Sequence, residues 1–159
     1  MTPRPLVIGV GNPDRGDDGV GPAVAAGVEG DERLAGAAVR SAMQLTPEMA
    51  EEVAAASVVV IVDARVGVAA GEVDWAAVEH RSLGTSAGPL THHLDPAGLC
   101  HLAGVAFGRV PPAFVVGVGA AGFDAGAPLS EPAVAAVPRA REVVVALATG
   151  SSGPPAPLR

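Results

Sequence analysis

The stretch Ser57-Val58-Val59-Val60-Ile61-Val62-Asp63-Ala64 constrains the fold most. A continuous β-branched run, apolar on both faces, reads as a strand at the centre of a parallel sheet that helices cover on either side. The run ends on an acid, Asp63. In open α/β sheets ligands gather beyond the carboxyl ends of the strands, so Asp63 is expected in a crevice rather than in the core.

A second apolar run, Leu6-Val7-Ile8-Gly9-Val10, opens into Gly11-Asn12-Pro13-Asp14-Arg15-Gly16-Asp17-Asp18-Gly19-Val20-Gly21. This reads as a buried strand, a polar turn built on Asn-Pro-Asp, and then a helix. Asp17 or Asp18 is placed to cap that helix, which runs from about Val20 to Gly30. Ala37–Ala42 reads as a weaker strand. Thr46-Pro47-Glu48-Met49 carries a Thr cap, a Pro at the first helical position and an acid in the first turn, which predicts a helix to about Ala56. Gly71–Glu79 reads as an irregular edge strand and Gly84–Pro89 as a loop. Pro96–Gly104 reads as a helix capped by Asp95. Ala113–Gly119 repeats the buried-strand pattern, and Ser130 starts a last helix reaching about Ala148. The alternation predicts a three-layer α/β/α domain over residues 1–148, with a mostly parallel twisted sheet of about five strands flanked by helices. Residues 149–159, rich in Gly, Pro and Ser, are expected to be a disordered tail.

Composition narrows the partners. The 159 residues carry a formal charge of -7, and all ten basic residues are arginines scattered without a cluster, which argues against nucleic acid and anionic membranes. With 49% hydrophobic but only 3% aromatic residues, the core must be built from Val, Ala and Leu. The one cysteine, Cys100, excludes an intrachain disulfide and a CxxC metal site. Met1–Pro5 lead directly into a strand without the features of a signal peptide, and no apolar run approaches the roughly 20 residues of a membrane helix. The expectation is a cytoplasmic protein.

The chain offers residues for three chemistries. A dinucleotide site fits poorly: after Gly9-Val10-Gly11 the third glycine of GxGxxG falls on Asp14, and acids lie where a pyrophosphate would sit. Nucleophilic catalysis fails as well, because Ser41, Ser57, Ser82, Ser86 and Ser130 lack a nucleophile-elbow context and Cys100 falls within a helix. The third is a metal site made from Asp18, Asp63 and a histidine of the His92-His93 pair. Singly, each has a plainer explanation: a helix cap, a strand-end acid, an exposed loop residue. Together they come from three strand-to-helix connections that open on one side of a parallel sheet, and two carboxylates with one imidazole can hold nickel, zinc, iron or manganese.

Gly9-Val10-Gly11-Asn12, Arg15, Asp17-Asp18-Gly19 and Gly21, the Val-rich strand with Asp63-Ala64, and Thr91-His92 together resemble the hydrogenase maturation proteases from about Leu6 to Ala148. The resemblance implies a monomeric cytoplasmic endopeptidase with a twisted sheet flanked by helices. It implies removal of a short C-terminal extension from the nickel-iron hydrogenase large-subunit precursor, with no nucleic acid or membrane involved. By position it makes Asp18, Asp63 and His92 the contacts to nickel contributed by the substrate, with His93 as the substitute for His92; zinc or cadmium can occupy such a site too. It also makes Asp18 and Asp63 catalytic, and Asn12, Arg15, Asp17 and Gln44 substrate contacts. The chain departs from many members of the family at Ser41–Glu48, where an Asp-Gly-Gly-type motif is missing. That departure motivates the alternative of a non-catalytic metal-binding or chaperone-like module that holds a metalloenzyme precursor without cleaving it. A spore-type protease of related architecture is a more remote option.

Overall fold

The computed structural model describes residues 2–79 and 94–151. Five strands, β1 (Leu6–Val10), β2 (Ala38–Ala42), β3 (Val59–Arg65), β4 (Val73–Ala77) and β5 (Ala113–Gly119), form one sheet in the order β2-β1-β3-β5-β4. The first four in that order are parallel, and β4 pairs antiparallel with β5 at the edge. The helices are α1 (Val20–Val28), α2 (Ala50–Ala55), α3 (Pro96–Phe107) and α4 (Glu131–Thr149). This is the predicted α/β class, with a mostly parallel five-stranded sheet between helical layers.

The two-sided apolar pattern of the strands explains the layers. On β3, Val60 and Val62 join one buried cluster with Val24 of α1 and Val144 of α4, whereas Val59 and Ile61 join a second with Val53 of α2 and Leu99 of α3. Successive side chains of a strand point to opposite faces, so each central strand feeds both halves of the core. Because the side chains are small, backbones approach closely. A Cβ on Gly9 would strike the Gly21 carbonyl, and one on Gly21 would strike the carbonyls of Val10 and Val62. The start of α1 is therefore pressed flush against β1 and β3.

Helix ends follow their signals with exceptions. Asp95 caps α3 by accepting from Gly98 N at 2.7 Å, and Ser130 caps α4 by accepting from Ala133 N at 3.3 Å. The expected carboxylate cap of α1 is absent: the N-cap is Gly19, and Gly16–Gly19 form a 3-10 turn whose two aspartates bond elsewhere. Thr46 does not cap α2 either. Residues Pro47–Met49 form a 3-10 turn before α2, with no side-chain cap bond. α3 runs past Gly104 to Phe107 and stops at Gly108, in the left-handed region at φ 74°. α4 takes in Thr149, the first residue of the expected tail, and the rest of that expectation from residue 152 onward lies outside the described residues.

Candidate active site

The site is built where β1 and β3 end. Gly11 leaves β1 at φ 142°, and its N–H is bonded to the Ala42 carbonyl at 2.9 Å, which anchors the loop to the end of β2. Asn12 Oδ1 accepts from Asp14 N at 2.9 Å, the side-chain turn expected of Asn-Pro-Asp. Asp18 then folds back across the loop: its Oδ2 accepts from Asn12 N at 2.8 Å. A Cβ at Gly11 would fall on the Asp18 carbonyl, so only glycine lets the loop close this tightly.

Asp17, the neighbouring carboxylate, turns the other way and is 1% exposed. It accepts from Ala121 N, from Ser130 N and from Ser130 Oγ, each at 2.7 Å, and so ties the loop to the connection between β5 and α4. Gly16 N to Ala127 O and Asp17 N to Gly122 O complete the seam. Burial alone would raise the Asp17 pKa, but the hydrogen bonds from Ser130, Ala121 and Gly122 outweigh it and hold the group below the ordinary aspartate value. The expectation that Asp17 touches a substrate is thereby corrected: both its oxygens are consumed inside the protein. The signal in the sequence is Ser130, a cap-type residue opening the helix after β5.

Asp63 is half-buried near the end of β3, one position beyond the Val62 that pairs with Gly9 of β1. Its Oδ1 accepts from Ala64 N at 2.8 Å. Burial raises its pKa to about 6, the Ala64 N–H opposing and the negative charge of Asp18 adding to the rise. Asp18 and Asp63 thus share one electrostatic environment on neighbouring strand ends, as the parallel-sheet rule leads one to expect. Each has one carboxylate oxygen engaged by a backbone N–H and one without a hydrogen bond among the described residues.

Asn12 is half-buried on the same loop, while Arg15 and Gln44 are exposed on the connections after β1 and β2. Met43 and Val66, 67% and 71% exposed, stand on the connections after β2 and β3 and give this end of the sheet two exposed apolar side chains. His92 and His93 lie outside the described residues. Among the described residues no group of three His, Cys, Asp or Glu side chains could hold a metal, so the carboxylate pair is the described part of the expected ligand set. Cys100 is buried in α3, as expected, and burial raises its thiol pKa.

Asp74, on the edge strand β4, is 8% exposed and pairs with Arg65 at the end of β3. The pair stands over Gly117, which is in register with both Asp63 and Asp74, so a fixed ion pair flanks the carboxylate rim. Asp74 is the one acid within Val73–Ala77, and Glu72 and Glu79 on either side of it masked that signal in the sequence.

No family model matches the chain, and no curated protein matches it. Solved structures do. The chain is similar to a [NiFe] hydrogenase maturation protease HycI from Thermococcus kodakarensis KOD1, with TM-score 0.71 and 22% identity, covering 91% of each chain. It is similar to the hydrogenase maturating endopeptidase HybD from E. coli, with TM-score 0.69 and 21% identity over 94% of each chain. It is also similar to a hydrogenase 2 maturation peptidase from a Thaumarchaeota archaeon, with TM-score 0.66 and 25% identity, covering 89% of this chain and 95% of that one. The chain therefore has the fold of the [NiFe] hydrogenase maturation proteases, the group its first loop resembles.

Proposed function

We propose that this protein is an endopeptidase that removes a C-terminal extension from a nickel-loaded nickel-iron hydrogenase large-subunit precursor. The observation that carries the reading is the Asp18–Asp63 pair: one carboxylate from the loop after β1 and one from the end of β3, each with an oxygen that makes no hydrogen bond among the described residues. The names of the fold neighbours support it. In this reading the nickel belongs to the precursor, and Asp18, Asp63 and His92 receive it; hard carboxylate oxygens and an imidazole nitrogen suit such an ion. Recognition through the metal would align the scissile bond only on a completed precursor.

Asp18 and Asp63 are the catalytic pair in this reading: a carboxylate oxygen not engaged by the ion takes a proton from an attacking water and returns it to the departing amine. Asn12, Arg15 and Gln44 supply polar contacts to the precursor around the rim. No described helix is long and apolar enough to cross a membrane, and the reading is of a monomer acting in the cytoplasm.

The test is mass spectrometry of the nickel-loaded precursor incubated with substoichiometric protein. Loss of a C-terminal peptide from many precursor molecules per molecule of protein is the expected result. Stable binding with the precursor left at full mass would overturn the endopeptidase reading in favour of a holding module.

A further inference from the structure

We infer that the outer edge of β2 is a docking strand for the precursor: the C-terminal extension adds to the sheet there, antiparallel to β2. The inference rests on the proposed precursor-processing reading and supplies its docking surface.

β2 is the terminal strand of the sheet among the described residues. Ala38 N bonds to the Pro5 carbonyl and the Ala42 carbonyl accepts from Gly11 N, so Ala38, Arg40 and Ala42 turn their backbone groups toward β1. In a parallel ladder the alternate residues, Val39 and Ser41, then turn theirs outward. Among the described residues the Val39 carbonyl is met by the guanidinium of its own neighbour alone, Arg40 Nη1 at 3.0 Å. Such an edge is a template for an extended backbone.

Side chains of an added strand alternate between the two faces of the sheet, and there is a cleft on each. One, of about 480 Å³, lies on the α1 side beside Leu34, Gly36 and Val39. The other, of about 180 Å³, lies on the α2 side beside Leu6, Glu52 and Ala55. Arg4 lines both, with no ion pair among the described residues, and matches a carboxylate on the incoming segment.

The occupant follows from position and charge. The carboxyl end of β2 is bonded to Gly11, at the root of the Asp18 loop, so a chain cut at the rim would lead its downstream residues down the edge, antiparallel to β2. Five residues give a contact of about 16 Å. A second copy of this chain is a poorer occupant. Two-fold pairing of the outward residues Val39 and Ser41 centres on Arg40 and sets two Arg40 side chains, each already held by its own Glu52 at 2.8 Å, directly opposite each other with no complementary partner across the axis.

Amide hydrogen exchange of the full chain, alone and with a synthetic peptide copying the extension of the precursor used above, tests this. The Val39 and Ser41 amides should slow at least about tenfold with peptide, while the inward-facing Arg40 amide is unchanged. Ser41→Pro blocks an outward N–H, a substitution edge strands accept, and should weaken peptide binding at least about tenfold with its thermal melt preserved. If Ser41→Pro does not fold, the exchange result on the unaltered protein decides. No protection at Val39 and Ser41 overturns the docking strand, even where the precursor is cleaved. Protection of both without peptide, rising with protein concentration, overturns it in favour of self-pairing. Protection by peptide without any cleavage supports the docking strand and overturns the endopeptidase reading alone.

Discussion

Truncating Asp17 to Ala should destabilise the fold by about 2–6 kcal/mol, although the residue meets no substrate. The carboxylate is 1% exposed and accepts two backbone N–H groups and one hydroxyl, all at 2.7 Å. A buried donor left without an acceptor costs about 1–3 kcal/mol. Ala121 N and Ser130 N both lose theirs, while the Ser130 hydroxyl can rotate to another partner. For a chain of this length the change corresponds to a melting temperature lower by roughly 4–24 °C. Urea unfolding followed by far-UV circular dichroism measures it. Asp17→Asn keeps the shape and adds a pH signature. Because the folded-state pKa is held below the ordinary value, the charged group contributes its stability above the unfolded pKa and loses it as pH falls through the folded one. The gap between the unaltered protein and Asp17→Asn should be constant above about pH 5 and close below about pH 4. A loss under about 1 kcal/mol for Asp17→Ala, or a gap that ignores acid, would refute the assignment of Asp17 to the seam between the first loop and α4.

Asp63→Asn should abolish processing yet stabilise the protein by about 1–3 kcal/mol at pH 8. Burial raises the Asp63 pKa to about 6, so the folded state resists its ionisation; the unaltered protein loses stability as pH rises from about 4 to 6, and the variant should not. Parallel melts across that range check the sign. Gly11→Ala should cost at least about 2 kcal/mol and disable processing, because its Cβ would occupy the place of the Asp18 carbonyl at a φ that alanine disfavours; an alanine variant with unchanged stability and activity would show that the loop can relax. Asp95→Ala should cost only about 1 kcal/mol, the worth of one helix cap, measured by urea unfolding, and should leave the two carboxylates in place.

Much of the fold was legible because local signals agreed with tertiary demands. The β-branched runs became β3 and β5 nearly to the residue, since a strand apolar on both faces has few alternatives to the middle of a covered sheet. Asp95-Pro96 and Ser130-Glu131-Pro132 marked helix starts because cap and first turn were both specified. Asp18 and Asp63 could be brought together from sequence, since parallel strands deliver their following loops to one rim. Asp17 could not be read correctly, because its burial is decided by a segment more than 100 positions away that reaches back to it. Thr46-Pro47 suits a 3-10 turn as well as an α-helix, and the sequence does not separate them. The direction of β4 was equally hidden, although the short connection from β3, residues 66–72, is too brief for the helical crossover a parallel strand requires.

The central claim is that Asp18 and Asp63 act together on a nickel-bearing precursor. It is tested most directly by the mass of the precursor's large subunit, nickel-loaded and nickel-free, after incubation with the unaltered protein, Asp18→Ala and Asp63→Ala. A shortened C-terminus is expected in one reaction alone, the loaded precursor with the unaltered protein, while both variants keep a folded circular dichroism spectrum. Shortening by either variant at the unaltered rate, or equal cleavage of the nickel-free precursor, would contradict it.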